Sequence, residues 1–159
     1  MSQDLPGEIY GLMVPLEHDR LLIPRGCVAE VIGYQTPQEM TGAPPWHLGV
    51  VRWNDRLVPL VSFEGCAGGD VAPPTARSRV VVLNALSERL PGAIAILSQG
   101  FPKLVRVSPE FVKLDAQRSF PEDGPIACQI QLLDETPVVP DLDRLEQMVA
   151  NETQPLPGD

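Results

Sequence analysis

The chain has 159 residues, 43% of them apolar and 21% charged, which suits one domain with its own core. Its formal net charge is −9, and a surface that acidic repels phosphate backbones, so nucleic-acid binding is not expected. Eighteen prolines argue against long helices, and no apolar run approaches the ~20 residues that cross a bilayer, so no direct membrane insertion is expected.

The N-terminal stretch MSQDLPGEIY lacks a basic region followed by an apolar one, so it does not read as a secretory signal and a cytoplasmic location is expected. Residues 9–16, IYGLMVPL, read as a first strand. EHDR then turns, and LLIP followed by residues 27–35, CVAEVIGYQ, reads as continued extended chain. TPQEMTGAPP is a loop rich in breakers. Next come two apolar runs separated by Asn54-Asp55, HLGVVRW and RLVPLVSFEG. Asn and Asp tolerate positive φ, so a two-residue type I′ hairpin is expected. That turn pairs Trp53 with Arg56, Arg52 with Leu57, Val51 with Val58 and Val50 with Pro59. The Val50/Pro59 pair then falls at a non-hydrogen-bonded site, and Pro59 reads as a strand end or edge.

CAGGDVAPPTARS is a Gly- and Pro-rich loop. RVVVLNAL and GAIAILSQG are strands split by SERLP, and FPKLVRVS is another. Residues 108–111, SPEF, read as a single helical turn. IACQIQLL and TPVVP form a hairpin-like pair. In PDLDRLEQMVAN, Leu142, Leu145, Met148 and Val149 recur at helical spacing and Asp141 can cap the start. The tail, residues 151–159, is polar and breaker-rich and is expected to be disordered. About nine or ten short strands with turns between them point to an all-β fold. Strands apolar on both faces suit sheets buried on two sides, such as barrels packed on each other.

CVAEVIGYQTP, PPWHLGVVRWNDRLVPLVSF, RVVVLNAL, AIAILSQGFPKLVRV and VVPDLDRLEQMV together resemble the CheW family of chemotaxis adaptors, over about residues 8–150. The family pattern is a Val-x-Glu-Ile/Val stretch, then a Gly-Val-x-Asn-Leu-Arg-Gly-x-Val-x-Pro-Val-x-Asp-Leu hairpin, then a short closing helix. Trp46 before His47 and the ending LVSFEG look closest to adaptors of pilus-linked twitching systems, of the ChpC type. The resemblance implies two small SH3-like five-stranded β-barrels packed together with a short C-terminal helix, residues 1–150 forming one CheW-like domain. It implies a non-catalytic adaptor without cofactor. Its partners would be a chemoreceptor's cytoplasmic tip and the regulatory domain of a CheA-type histidine kinase.

Carried over residue by residue, Val28 and Glu30 fall on the family's Val and Glu, near expected partner contacts. Gly49 falls on the hairpin's first glycine, where a partner backbone can approach. The family's Arg-Gly at the turn is Asn54-Asp55 here. In typical members that arginine pairs with the glutamate matched by Glu30, and Arg52 or Arg56 is left to take its place. The expected partner-binding patch is therefore Val28, Glu30, Gly49, Arg52, Asn54, Asp55 and Arg56.

Each singled-out residue also has a plainer reading. Glu30 in an apolar stretch is either exposed or partnered, because a buried lone carboxylate is costly. Trp53 reads as a barrel lid, and Trp46 as packing under its loop. Cys27, Cys66 and Cys128 are odd in number, far apart and without a CxxC, so they read as buried small hydrophobes. His18 and His47 lack clustered ligands, and no Walker loop, Gly-x-Ser-x-Gly elbow or HExxH is present. The rival reading is a small β-barrel protein that binds or acts on a ligand between the two barrels. That reading requires Glu30, Asn84, Gln99 and Gln129 to converge in the seam.

Overall fold

The computed structural model describes residues 9–88, 90, 92–108, 110 and 112–153. Among them, eleven strands and two helices build two sheets. The first sheet holds β1 (Ile9–Pro15), β2 (Arg20–Pro24), β8 (Lys103–Val107), β9 (Val112–Leu114), β10 (Ile126–Leu132) and β11 (Val138–Pro140), in the order β8-β1-β2-β11-β10-β9. The second holds β3 (Val28–Gly33), β4 (His47–Trp53), β5 (Arg56–Val61), β6 (Arg79–Asn84) and β7 (Ala93–Ser98), in the order β3-β6-β7-β5-β4. The first sheet thus has six strands where five were expected. The extra one, β9, is three residues long, too short to show an alternation in sequence.

The chain does not run extended from β2 into β3. A 3₁₀ turn at Arg25–Cys27 separates them and carries the backbone from one sheet to the other. Pro24 precedes this turn and Gly26 lies in it, and both residue types break a continuous strand. The turn expected at residues 108–111 lies partly outside the described residues.

Alternation along the strands sorts their apolar side chains into three cores. Met13, Leu22, Val107, Ile130 and Leu132 pack within the first sheet. Val51, Val58, Leu60, Val80, Val82, Ala93, Ala95 and Leu97 pack within the second. A third core joins the sheets: Val14, Leu21 and Ile23 from the first meet Val61, Val81, Leu83, Ile94 and Ile96 from the second. On β6, Val80 and Val82 face their own sheet's core while Val81 and Leu83 face the seam. This is why these strands read as apolar on both faces.

Helix α2 (Leu142–Thr153) closes the seam, with Leu145, Val149 and Ala150 buried in it. Asp141 caps the helix, its Oδ1 accepting the Arg144 N–H at 3.0 Å. The helix runs three residues past the expected boundary at 150. Asn151, Glu152 and Thr153 continue it because the first breaker is Pro155; residues 154–159 lie outside the described residues. Glu146 on α2 is buried, and its carboxylate accepts from the Leu86 and Ser87 N–H groups and from Ser87 Oγ. That bond set fastens the helix to the β6–β7 connection.

The β4–β5 hairpin has the expected register, from Trp53↔Arg56 to Val50↔Pro59. Asn54 and Asp55 have φ of 48° and 62°, the two positive values a type I′ turn requires. Pro59, however, is buried and β5 lies inside the sheet, between β4 and β7, not at its edge. The parallel pairing with β7 registers at Leu60 and Val61, after the proline, so its missing N–H falls before that ladder. A four-residue helix α1 (Phe63–Cys66) ends the hairpin, with the Ser62 hydroxyl accepting the Gly65 N–H.

Candidate functional site

The hairpin tip brings several of the sequence-derived residues together. Glu30 on β3 and Trp53 on β4 lie on strands at opposite ends of the second sheet's order. The Trp53 indole Nε1–H donates to Glu30 Oε1 at 2.9 Å, closing that gap. Beside it, Gln35 Nε2 donates to the Arg52 carbonyl at 2.9 Å and Gln35 Oε1 accepts the Arg52 N–H at 3.2 Å. A single side-chain amide thus imitates a strand partner for β4. The carboxylate of Glu30 is therefore exposed and partnered, by an indole where the family pattern leads one to expect a guanidinium. Neither Arg52 nor Arg56 forms an ion pair among the described residues; Arg56 lies over Gly92, where a Cβ would collide with its guanidinium. Arg52, Asn54, Asp55 and Arg56 are all exposed.

Two of the expected patch residues stand apart. Val28 is half-buried and packs on the seam core; a bulge at Ala29 puts Val28 opposite Leu83 and Glu30 opposite Val82. Gly49 is buried with φ of 131°, and a Cβ there would lie 2.3 Å from the Gln38 carbonyl oxygen. The close backbone approach that this glycine permits is made by the chain's own Gln38, which bridges to Val50. Gly49 is thus a packing position within the chain itself.

A second polar arrangement, not apparent in the sequence, links the two units. Glu64 on α1 accepts the N–H groups of Glu17 and His18, each at 2.8 Å, fixing the β1–β2 turn. Arg118 pairs with Asp19 at 2.7 Å and also donates to Gln129 Oε1, while Gln129 Nε2 donates to Asp115 at 2.8 Å. These partners are 11 to 99 residues apart, so no local spacing betrays them. They border a cleft of about 200 Å³ that Phe63, Glu64, Arg118 and Phe120 help line.

The seam itself is apolar. Glu30 bonds Trp53, Asn84 is exposed, the Gln99 N–H is held by the Pro15 carbonyl, and Gln129 sits with Asp115 in the first sheet's unit. These four side chains do not converge on one pocket. His18, between Glu17 and Asp19, lies on the turn that Glu64 holds, and no cluster of three or more His, Cys, Asp and Glu among the described residues is arranged to hold a metal ion. Cys27, Cys66 and Cys128 are free thiols; burial pushes the Cys66 thiol well above its ordinary pKa. Trp46 is half-buried against the seam core, and Trp53 lies over the second sheet's core. No helix among the described residues is long and apolar enough to cross a membrane.

Comparison with known proteins fits this architecture. The CheW-like domain matches residues 10–148. A search of curated proteins returns no match. Among solved structures, the scaffolding protein TtCheW from Thermoanaerobacter tengcongensis superposes with a TM-score of 0.73 at 10% identity, covering 89% of this chain and 90% of that one. At that identity the superposition speaks for the fold, a pair of SH3-like units. The matched span takes in both sheets and most of α2, and on it the chain belongs to the CheW-like domain family of non-catalytic chemosensory scaffolds.

Proposed function

We propose that the chain is a cytoplasmic adaptor that couples the tip of a methyl-accepting chemoreceptor to the regulatory domain of a CheA-type histidine kinase. The observation that carries this reading is the family match over residues 10–148. The apolar seam core supports it, because a ligand site there needs polar groups that converge, and among the described residues Glu30, Asn84, Gln99 and Gln129 do not. The ending LVSFEG and the Trp46-His47 pair favour the branch that serves type IV pilus twitching.

The docking surface in this reading is the hairpin tip: Glu30 held by Trp53, flanked by Arg52, Asn54, Asp55 and Arg56. Purified kinase regulatory domain and receptor cytoplasmic fragment are the test. Glu30→Lys inverts the exposed charge and should weaken binding more at low salt than at high. Trp53→Phe removes the indole donor but keeps the carboxylate, so it separates charge from anchoring. Normal binding of both partners by a folded Glu30→Lys variant would move the surface elsewhere. Failure of the unaltered chain to bind either partner would sink the adaptor reading. Deleting the gene should impair twitching and spare swimming; the opposite result would reject the pilus branch.

A further inference from the structure

The chain carries 21 acidic and 12 basic residues, so a cation that forms no ion pair among the described residues calls for explanation. Two such cations meet at Phe101. The guanidinium carbon of Arg79 lies 4.1 Å from the Phe101 ring centroid and that of Arg77 lies 5.5 Å from it. Phe101 is 52% exposed. Neither arginine forms an ion pair among the described residues.

The cluster is built rather than incidental. Thr75 and Ser78 tie the loop before β6 into a tight turn: the Thr75 N–H donates to Ser78 Oγ at 2.8 Å and the Arg77 N–H to Thr75 Oγ1 at 3.1 Å. Thr75 Oγ1 also donates to the Gln99 carbonyl at 3.2 Å, and the Gln99 N–H to the Pro15 carbonyl at 2.9 Å. Arg79 Nη1 donates to the Ser78 carbonyl at 2.7 Å. Both arginines and the ring are therefore held by backbone that is itself fastened to the first sheet. Phe101 leads into β8, an outer strand of that sheet.

We propose that the Arg77–Phe101–Arg79 cluster is a docking point for a carboxylate-bearing segment of a protein partner. Guanidiniums stacked on a ring lose little freedom on binding, and their planar forks match carboxylates in bidentate fashion. The ring offers apolar area to the same segment. A carboxylate on a protein is favoured over a nucleic acid or an anionic membrane by the whole chain's charge of −9, which repels an extended polyanion at long range. The identity of the partner protein rests on the adaptor reading; the chemistry of the docking point does not.

The test uses the full ¹⁵N-labelled chain and two synthetic helical peptides of otherwise neutral sequence, one carrying a pair of Glu residues and its counterpart with Gln at those positions. The Glu peptide should shift amides in residues 75–79 and 98–104, and the Gln peptide should not. A double variant, Arg77→Gln with Arg79→Gln, should keep its circular dichroism spectrum and bind the Glu peptide roughly tenfold more weakly. Phe101→Leu should weaken it as well, with no change in charge. Equal response to both peptides, shifts centred elsewhere, or undiminished binding by the double variant overturns the proposal. So does a shift of the same amides by phosphatidylserine vesicles or an oligothymidylate but not by the Glu peptide. Receptor-fragment and kinase binding by the unaltered chain are measured in parallel. Loss there rejects the adaptor reading alone, whereas normal partner binding with a silent cluster rejects the docking point alone.

Discussion

At the scale of single residues, Gly49 and His47 show how local environment decides what a position does. A side chain at Gly49 meets two obstacles, a φ of 131° and the Gln38 carbonyl oxygen 2.3 Å from where its Cβ would stand. The obstructing atom is backbone and cannot rotate away. Gly49→Ala should therefore cost about 3 kcal/mol or more in urea denaturation, and Gly49→Arg should fail to fold, not merely lose a partner. A near-native midpoint for Gly49→Ala would show that the Gln38 segment is free to move off β4. His47 is buried, and desolvation holds its imidazole below the ordinary pKa, a backbone hydrogen bond and the attraction to Glu152 acting the other way. Because the folded value is lower than the unfolded one, the unfolded chain takes up the proton first. Stability from this group is complete above an unfolded pKa of about 6.5 and is lost as pH falls from there toward the folded value. Asp115 has the same sign further down. The Gln117 N–H and the Gln129 side chain lower its carboxyl, so its contribution is present above an unfolded pKa of about 4 and is lost as pH falls through the folded value. The denaturation midpoint should be flat between about pH 7 and 8, fall above about 8.5 as the unfolded Cys66 thiol ionises, and decline below about 6.5, and His47→Gln should flatten the first part of that acid decline. An unchanged profile in the variant would place the acid sensitivity elsewhere.

At the scale of elements, the hairpin was the most legible part of the sequence and the crossings were the least. Its register followed from two residues, Asn54 and Asp55, since a two-residue turn leaves only one pairing open. The helix over Leu142–Thr153 was legible for a similar reason, a 3.6-residue period with a cap. β9 was not, because three residues carry no period. The 3₁₀ turn at Arg25–Cys27 was not, because which sheet a strand joins is decided by distant partners. The indole that partners Glu30 escaped notice too, since the two residues are 23 apart and only barrel closure makes them neighbours. Glu146 carries the clearest prediction at this scale. It is 2% exposed, and removing its carboxylate takes away the acceptor of the Leu86 and Ser87 N–H bonds at the helix–loop contact. Glu146→Ala should destabilise by about 2–3 kcal/mol, and Glu146→Gln by less, since its amide oxygen can still accept one of those bonds. Equal losses for the two variants would mean that packing, not the acceptor, is what matters there.

At the scale of the whole molecule, the third core determines how the two units behave. A chain of two independent barrels would bury its apolar residues inside each. Here Val14, Leu21 and Ile23 of one sheet, Val81, Leu83 and Ile96 of the other, and Leu145 and Val149 of α2 share a single cluster. Separating the units would expose all of it, at a cost of about 25 cal/mol for each Å² of apolar surface. Polar links add to this, since Glu64 beyond β5 holds the turn between β1 and β2. The two sheets should therefore unfold as one cooperative unit. Trp53 lies over the second sheet's core and Trp46 against the seam, so fluorescence reports on that half and its seam face while far-ultraviolet circular dichroism reports on the whole molecule. The two melting curves should coincide. Val58→Ala and Val80→Ala in the second sheet's core, and Met13→Ala in the first, should lower both curves together, the valine truncations by about 1–3 kcal/mol each. Leu145→Ala is the decisive variant, because that side chain is fully buried in the seam and belongs to neither sheet. If the seam enforces cooperativity, weakening it is the change that should pull the fluorescence and dichroism midpoints apart, whereas the core truncations leave them coincident. Midpoints already apart in the unaltered chain would mean that the units fold separately and that the seam is a contact between finished domains.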